Sequence, residues 1–183
     1  GGAPRITAQG RTFPVDTRYA GKGAPLLWDP AAARGQQESP ERQVAQIVHA
    51  ALLEEEGDAL VFLPGAREIH RVQSLIQERL PAGGAVVVLP LFGELSAGEQ
   101  DAALGPSADR KRKVVLATNI AETSLTIPGI RIVVDSGLVR RSVFDPSTGM
   151  SRLETQRISR ASADQRQGRA GRVESGVCYR AWS

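Results

Sequence analysis

Apolar residues at Val44, Ile47, Val48, Ala51 and Leu52 recur at the i, i+3, i+4, i+7, i+8 spacing of a single helical face. Ser39 stands where a cap would, Pro40 falls in the first turn and Gly57 follows the end, so this stretch predicts a helix. Ala59 to Leu63 is apolar at every position and bounded by Asp58 and Pro64-Gly65, which predicts a short buried strand. Ile69, Val72, Leu75, Ile76 and Leu80 give a second helix, stopped by Pro81. A strand from Ala85 to Leu91 follows, and the capping-box string Ser96-Ala97-Gly98-Glu99 opens a helix to about Leu104. Val114 to Ala117 and Ile130 to Val134 are continuous, β-branched runs. Strands apolar on both faces and separated by helices predict an α/β domain with a mostly parallel sheet covered on both sides. Ligands of such sheets sit beyond the carboxyl ends of the strands, and Thr118 lies just past one of those ends.

The last part of the chain departs from this alternation. Val139 to Phe144 and Met150 to Thr155 flank Asp145-Pro146-Ser147-Thr148-Gly149, whose turn formers predict a protruding β-hairpin over about residues 138–156. Ser162-Ala163-Asp164-Gln165 reads as a second capping box, starting a helix that carries several arginines. The first 40 or so residues form an irregular lead-in whose one convincing strand is Val15 to Tyr19.

A chain of 183 residues supports one well-cored domain, 1–183. It has no run of eighteen apolar residues and no positively charged start followed by an apolar stretch, so neither membrane span nor secretion signal is expected. The single Cys178 cannot form an internal disulfide, which fits a reducing, cytoplasmic setting; packing in a strand is its expected role. His49 and His70 fall on predicted helices without a ligand-like partner, so no metal site is expected from this chain.

Charge changes the picture more than composition does. Residues 1–106 hold 9 basic and 13 acidic side chains, a net of −4, whereas residues 107–183 hold 14 and 7, a net of +7. Clustered Lys and Arg suit a phosphate-bearing partner, although a solubility bias would look the same. With four Phe, two Tyr and two Trp in the chain, base stacking is not its advertised grip.

The basic half contains Gln165-Arg166-Gln167-Gly168-Arg169-Ala170-Gly171-Arg172. On a helix, Arg169 and Arg172 would point the same way. A guanidinium grips phosphate in a planar, bidentate manner, and one delivered to a transferring phosphoryl group is an arginine finger. An Arg-rich helix is also the usual form of a solvated face, but glycine at 168 and 171 costs about 1 kcal/mol each within a helix and suits close approach of a ligand or another backbone.

This string resembles motif VI of superfamily 2 helicases. Thr118-Asn119-Ile120-Ala121-Glu122-Thr123-Ser124-Leu125-Thr126-Ile127 is similar to motif V in the form found in DEAH-box helicases, with Val133-Val134-Asp135-Ser136-Gly137 following in place. Leu60 to Ile69 resembles motif IV, and Gly10-Arg11-Thr12-Phe13-Pro14-Val15 resembles the opening of the second RecA-like domain of that family. The resemblance covers nearly the whole chain and is strongest to the bacterial HrpB type, with Pro128 and the ending Val177 to Trp182 contributing.

What the resemblance implies is a RecA-like second motor domain of an ATP-dependent nucleic-acid helicase, with single-stranded RNA the expected partner and the fragment monomeric. It assigns Gln165 to orienting the attacking water, and Arg169 and Arg172 to the developing charge on the phosphoryl group. Ser124, Thr126 and Gly168 would face ATP; Gly65, Thr118, Asn119 and Thr123 would face the nucleic-acid backbone. Gln165 as a capping residue, and the Ser/Thr/Asn loop as an ordinary turn, are the alternatives. Glu122 is expected to order the loop and Asp135 to cap a strand end. The chain has no Gly-x-x-x-x-Gly-Lys-Ser/Thr loop and no Asp-Glu-Ala-His box. The phosphate cradle and the Mg²⁺ ligands would therefore belong to a first RecA-like domain, further C-terminal domains completing the polypeptide, and the fragment alone would be inactive.

Three positions depart from the family pattern. Pro128 replaces a carboxylate expected to face the nucleotide, Leu104 stands where a Phe stacks on adenine, and Pro64 replaces a Thr that holds an RNA phosphate, leaving Gly65 and the backbone. Pro128 and Leu104 imply loose base selectivity. All three positions also keep open a second reading, a nucleic-acid-binding or docking module that has lost motor activity. A self-sufficient α/β enzyme is disfavoured, because no nucleophile–base pair or metal cluster stands out.

Overall fold

The computed structural model describes residues 13–19, 39–81, 83–107, 109–123, 125–147 and 149–182. Most of the lead-in, the family-like segment at 10–12 and Ser124 lie outside the described residues. The core is a six-stranded sheet in the order β1 (Val15–Tyr19), β8 (Gly176–Arg180), β5 (Ile130–Asp135), β2 (Asp58–Phe62), β4 (Arg112–Ala117), β3 (Val86–Leu91). Every pairing in it is parallel. Pro90, which cannot donate to a ladder, sits in β3 at the sheet edge, where one side of the strand has no partner. An antiparallel pair, β6 (Leu138–Asp145) and β7 (Met150–Arg157), forms the predicted hairpin.

Strand alternation separates two apolar layers. Ala59, Val61, Val114, Leu116, Ile132 and Val134 face one side, against Val44, Val48 and Ala51 of α1 (Pro40–Glu54) and Ile69, Val72 and Ile76 of α2 (Ala66–Gln77). Leu60, Phe62, Val115, Ala117, Val133 and Cys178 face the other, against Ala103 of α3 (Ala97–Leu104), Ala121 of α4 (Ile120–Thr123) and Ala170.

The helix ends follow the expected chemistry in α1 and α3. The Ser39 side chain accepts from Arg42 N, and Ser96 with Glu99 completes a capping box. Arg112 donates to the carbonyls of Leu52, Glu55 and Gly57, satisfying the carboxyl end of α1. The fully buried Lys113 does the same for α3 through Ala103 O and Gly105 O. Helix α2 stops at Gln77 rather than running to Pro81, because its last turn tightens into the i→i+3 bonds Arg79 N to Ile76 O and Leu80 N to Gln77 O.

The arginine helix differs from the sequence expectation. Helix α5 spans Arg160–Gln167 and is capped by Ser159, whose side chain accepts from Ser162 N at 3.1 Å. Ser162 is thus inside the helix and buried, and the capping box at 162–165 is not formed. Gly168 closes the helix, so Arg169 and Arg172 stand in the turns beyond it and not on a common helical face.

Candidate nucleotide and nucleic-acid site

The carboxyl ends of β4, β5 and β2 lie on one edge of the sheet, where Thr118 and Asn119 follow β4, Gly65 lies beyond β2, and Arg169 and Arg172 reach the loop after β4. After β4, Thr118 and Asn119 accept from the amides of Ala121 and Glu122 and start the one-turn helix α4. The loop expected at motif V therefore contains a helical turn, favoured by Ala121 and Glu122 behind Asn119, a residue type suited to a helix start. Thr118 is half-buried; Asn119, Thr123 and Thr126 are exposed.

The two arginines beyond α5 reach this loop by different routes. Arg169 is 5 % exposed and donates from Nε to Glu122 O at 3.0 Å and from Nη1 to Leu125 O at 2.6 Å. Arg172 is exposed and touches Thr126 Oγ1 through Nη1 at 3.0 Å. Both reach the one loop, but from turns beyond the helix and with one buried and one exposed, so the common helical face expected from their spacing is not formed. Burial, with Arg172 nearby, disfavours the charged form of Arg169, while Glu122 favours it. Its Nη2 is buried and has no hydrogen-bond partner among the described residues.

The two glycines of this segment differ. A Cβ on Gly171 would stand 2.5 Å from Phe13 O and 2.7 Å from Val15 Cγ2, so close backbone approach explains it. A Cβ on Gly168 would meet only Asp164 O and Gln165 O at 3.5 Å, and Gly168 and Gln165 are both exposed. Packing within the chain does not require glycine at 168. Gln165, freed from capping, faces solvent on the same segment.

Sequence reasoning passed over Arg166, which is 0 % exposed. Its Nε donates to Glu122 Oε2 at 3.1 Å, its Nη1 to Asp135 Oδ1 at 2.8 Å and to Leu138 O at 3.2 Å, and its Cζ lies 4.8 Å above the Phe62 ring. The available signal was Ala163, one turn before Arg166 on α5, a small apolar residue that puts Arg166 on the inward face. Glu122 holds the loop, as expected, accepting also from Ser162 Oγ at 2.5 Å. Asp135 caps the strand end by accepting from Gly137 N at 2.9 Å. Its burial pushes the carboxyl upward in pKa, against the pull of Arg166.

Gly65 ends the segment after β2 and caps α2 without a side-chain bond. It is buried, with Arg140 Nη1 lying 2.7 Å from where its Cβ would be, and Arg140 is held by Glu68 at 3.1 Å. Close approach of Arg140, from the hairpin root, accounts for glycine at 65 within the chain itself. Pro64 is buried beside it, Pro128 is exposed, and Leu104 packs partly buried against the second apolar layer. Among the described residues no group of His, Cys, Asp and Glu could hold a metal ion, and no helix is long and apolar enough to cross a membrane.

A parallel sheet covered by helices, with an arginine pair and a Ser/Thr/Asn loop at its carboxyl edge and a hairpin beside them, is the RecA-like architecture of a helicase motor domain. The family model described as the helicase conserved C-terminal domain matches residues 42–174, and the chain belongs to that family. It is 47% identical over 175 residues to the ATP-dependent RNA helicase HrpB of Escherichia coli (strain K12), covering 96% of this chain and 20% of that protein. It is 41% identical over 184 residues to the probable ATP-dependent RNA helicase DHX34 of Homo sapiens, covering 99% and 16%. The crystal structure of the Escherichia coli DEAH/RHA helicase HrpB superposes with a TM-score of 0.81 at 47% identity, over 96% of this chain and 21% of that one. The chain thus spans about a fifth of the length of such relatives and corresponds to the second RecA-like domain of a DEAH-box helicase of the HrpB type.

Proposed function

We propose that this domain is one half of the ATP site of an RNA-translocating motor and, on the same sheet edge, part of its strand-binding surface. The observation that carries the reading is the convergence of Arg169 and Arg172 on the loop after β4, one guanidinium anchored and one exposed. ATP fits here as a shared ligand. The orphaned Nη2 of Arg169 seeks an acceptor, and Gly168 and Gln165 leave an open, polar face. Mg²⁺ does not fit as a ligand of this chain, whose described residues offer no carboxylate cluster. A first RecA-like domain supplies the phosphate loop and the metal ligands.

In this arrangement Arg172 neutralises charge that develops on the transferring phosphoryl group, and Arg169 sets the loop while offering its free Nη2. Gln165 orients the attacking water. Thr126 holds Arg172 in place, with Gly168 lining the nucleotide side. Thr118, Asn119, Thr123 and Gly65 contact the sugar–phosphate backbone of single-stranded RNA, a mode of contact that carries no base identity. The protein works in the cytoplasm as an ATP-dependent helicase.

The test is ATP turnover of this chain alone, of the chain joined to its first RecA-like domain, and of the joined protein carrying Arg172→Ala. The chain alone is expected to be inactive, and Arg172→Ala to cost about 10³-fold or more in turnover. Near-normal turnover in Arg172→Ala overturns the half-site reading; a joined protein that binds RNA but hydrolyses nothing is instead the docking module.

A further inference from the structure

We infer that Arg166 is a positioning residue that locks the hairpin root and the loop after β4 into one arrangement with the nucleotide-facing arginines. The inference rests on the ATP-site reading above and adds to it the element that makes the parts move together. Four segments meet on this one side chain. Its Nε reaches Glu122 on α4, its Nη1 reaches Asp135 at the end of β5 and Leu138 O at the start of β6, and its charged plane covers Phe62 at the end of β2.

The contacts continue without a gap from there to the arginine pair. Glu122, gripped through its carboxylate by Arg166 and Ser162, accepts from Arg169 through its own carbonyl. Arg169 also holds Leu125 O, next to the Thr126 that contacts Arg172. On the far side Asp135 accepts from Gly137 N, and Ile158 N donates to Gly137 O, fixing both strands of the hairpin at their root. Arg166 and Ser162 thus tie the hairpin root and the start of α5 to the loop after β4.

The chemistry of the side chain suits this task. A guanidinium is a rigid planar fork that bridges two carboxylates in fixed geometry, whereas an ammonium is a point charge that can satisfy either partner alone. A joint that needed only charge neutralisation could use lysine. One that must hold Glu122 and Asp135 at a set separation needs the fork. A group misplaced by about 1 Å costs about 10²-fold in rate, so loosening this joint should register in turnover although Arg166 itself is sealed from solvent and from any ligand.

The experiment is Arg166→Lys in the protein that joins this domain to its first RecA-like domain, beside Glu122→Gln and the double variant. Expected are a fall in kcat for ATP of roughly 10- to 10²-fold with KM for ATP within about threefold. The double variant should lose little beyond either single change, because both break the same joint. Hydrogen exchange should show amides 120–123 and 137–140 losing protection together. Turnover within about threefold of the parent despite a lowered thermal midpoint would make Arg166 a packing element and overturn the inference, as would loosening confined to α5. Should Arg166→Lys fail to fold, Glu122→Gln carries the same forecast. Arg172→Ala, measured in parallel, separates the two claims. Normal turnover there sinks the ATP-site reading, whereas a loss there with Arg166→Lys normal sinks only the positioning role.

Discussion

The two faces of the sheet are built on opposite principles. The face under α1 and α2 is filled by aliphatic side chains of β2, β4 and β5 against Val44, Val48, Ile69, Val72 and Ile76, and its buried charge is Glu68, at the rim toward the hairpin. The other face encloses Lys113, Asp135, Arg166 and Arg169 among Leu60, Phe62, Val115 and Val133. A buried charge is expensive unless paired, and replacing such pairs with apolar groups often leaves a protein as stable or more so. The first face therefore supplies stability in the ordinary way, while the second gives up apolar packing to hold a set of guanidiniums and carboxylates in place at the edge where the proposed site lies. The proposed site thus lies where the packing is least economical.

Truncations on the two faces should break this contrast or sharpen it. Ile132→Ala, at a position 0 % exposed in the α1–α2 layer, should destabilise by about 2–5 kcal/mol and leave the folded fraction with normal ATP turnover in the joined protein. Arg169→Ala, on the other face, leaves Glu122 O and Leu125 O without their partner and should cost about 1–3 kcal/mol, yet cut turnover by orders of magnitude. Denaturant midpoints and single-turnover rates for both variants check the pair. Equal effects on turnover would mean that the faces do not differ in kind.

A smaller contrast lies within one segment. Gly171→Ala drives a methyl into Phe13 O and Val15 Cγ2 and should cost about 1–3 kcal/mol, seen as a lowered midpoint. Gly168→Ala meets nothing closer than 3.5 Å and should leave the midpoint within about 0.5 kcal/mol. If Gly168→Ala nonetheless lowers ATP affinity in the joined protein, the reason for that glycine lies outside the chain, on the nucleotide. A loss of stability at 168 would refute this division.

These differences also explain what the sequence disclosed. The aliphatic runs of β2, β4 and β5 and the periodic faces of α1 and α2 were legible because burial on that side is apolar and leaves a pattern with period. The hairpin was legible from its turn formers at 145–149, and the site edge from Thr118 at a strand end. Helix α5 was misplaced because two serines three residues apart, Ser159 and Ser162, are both competent caps, and the choice was settled by Glu122, forty residues away, which takes the Ser162 hydroxyl. Arg166 was passed over for a related reason. Its type argues for the surface, and its partners on α4, β5 and β6, distant in sequence, make burial tolerable. Long-range pairing of charges carries no local period.

The smallest expected effect concerns Cys178, which lies on the charged face yet is fully buried in β8. Burial, with Asp135 nearby, pushes its thiol from an ordinary 9.0 up to about 12, and Arg180 only partly offsets this. Since the thiolate is the reactive form, a thiol reagent at pH 8 should label Cys178 negligibly in the folded chain and fully after unfolding. The sign of the linkage follows. The folded state keeps the proton that the unfolded state gives up, so the stability contribution is whole below pH 9 and is lost as the pH rises toward 12. Cys178→Ala should flatten that alkaline loss and forfeit some packing at all pH values, measurable as a midpoint difference between pH 8 and pH 10. Rapid labelling of the native chain at pH 8 would mean that β8 opens without global unfolding, and that the charged face is held less firmly than its hydrogen bonds imply.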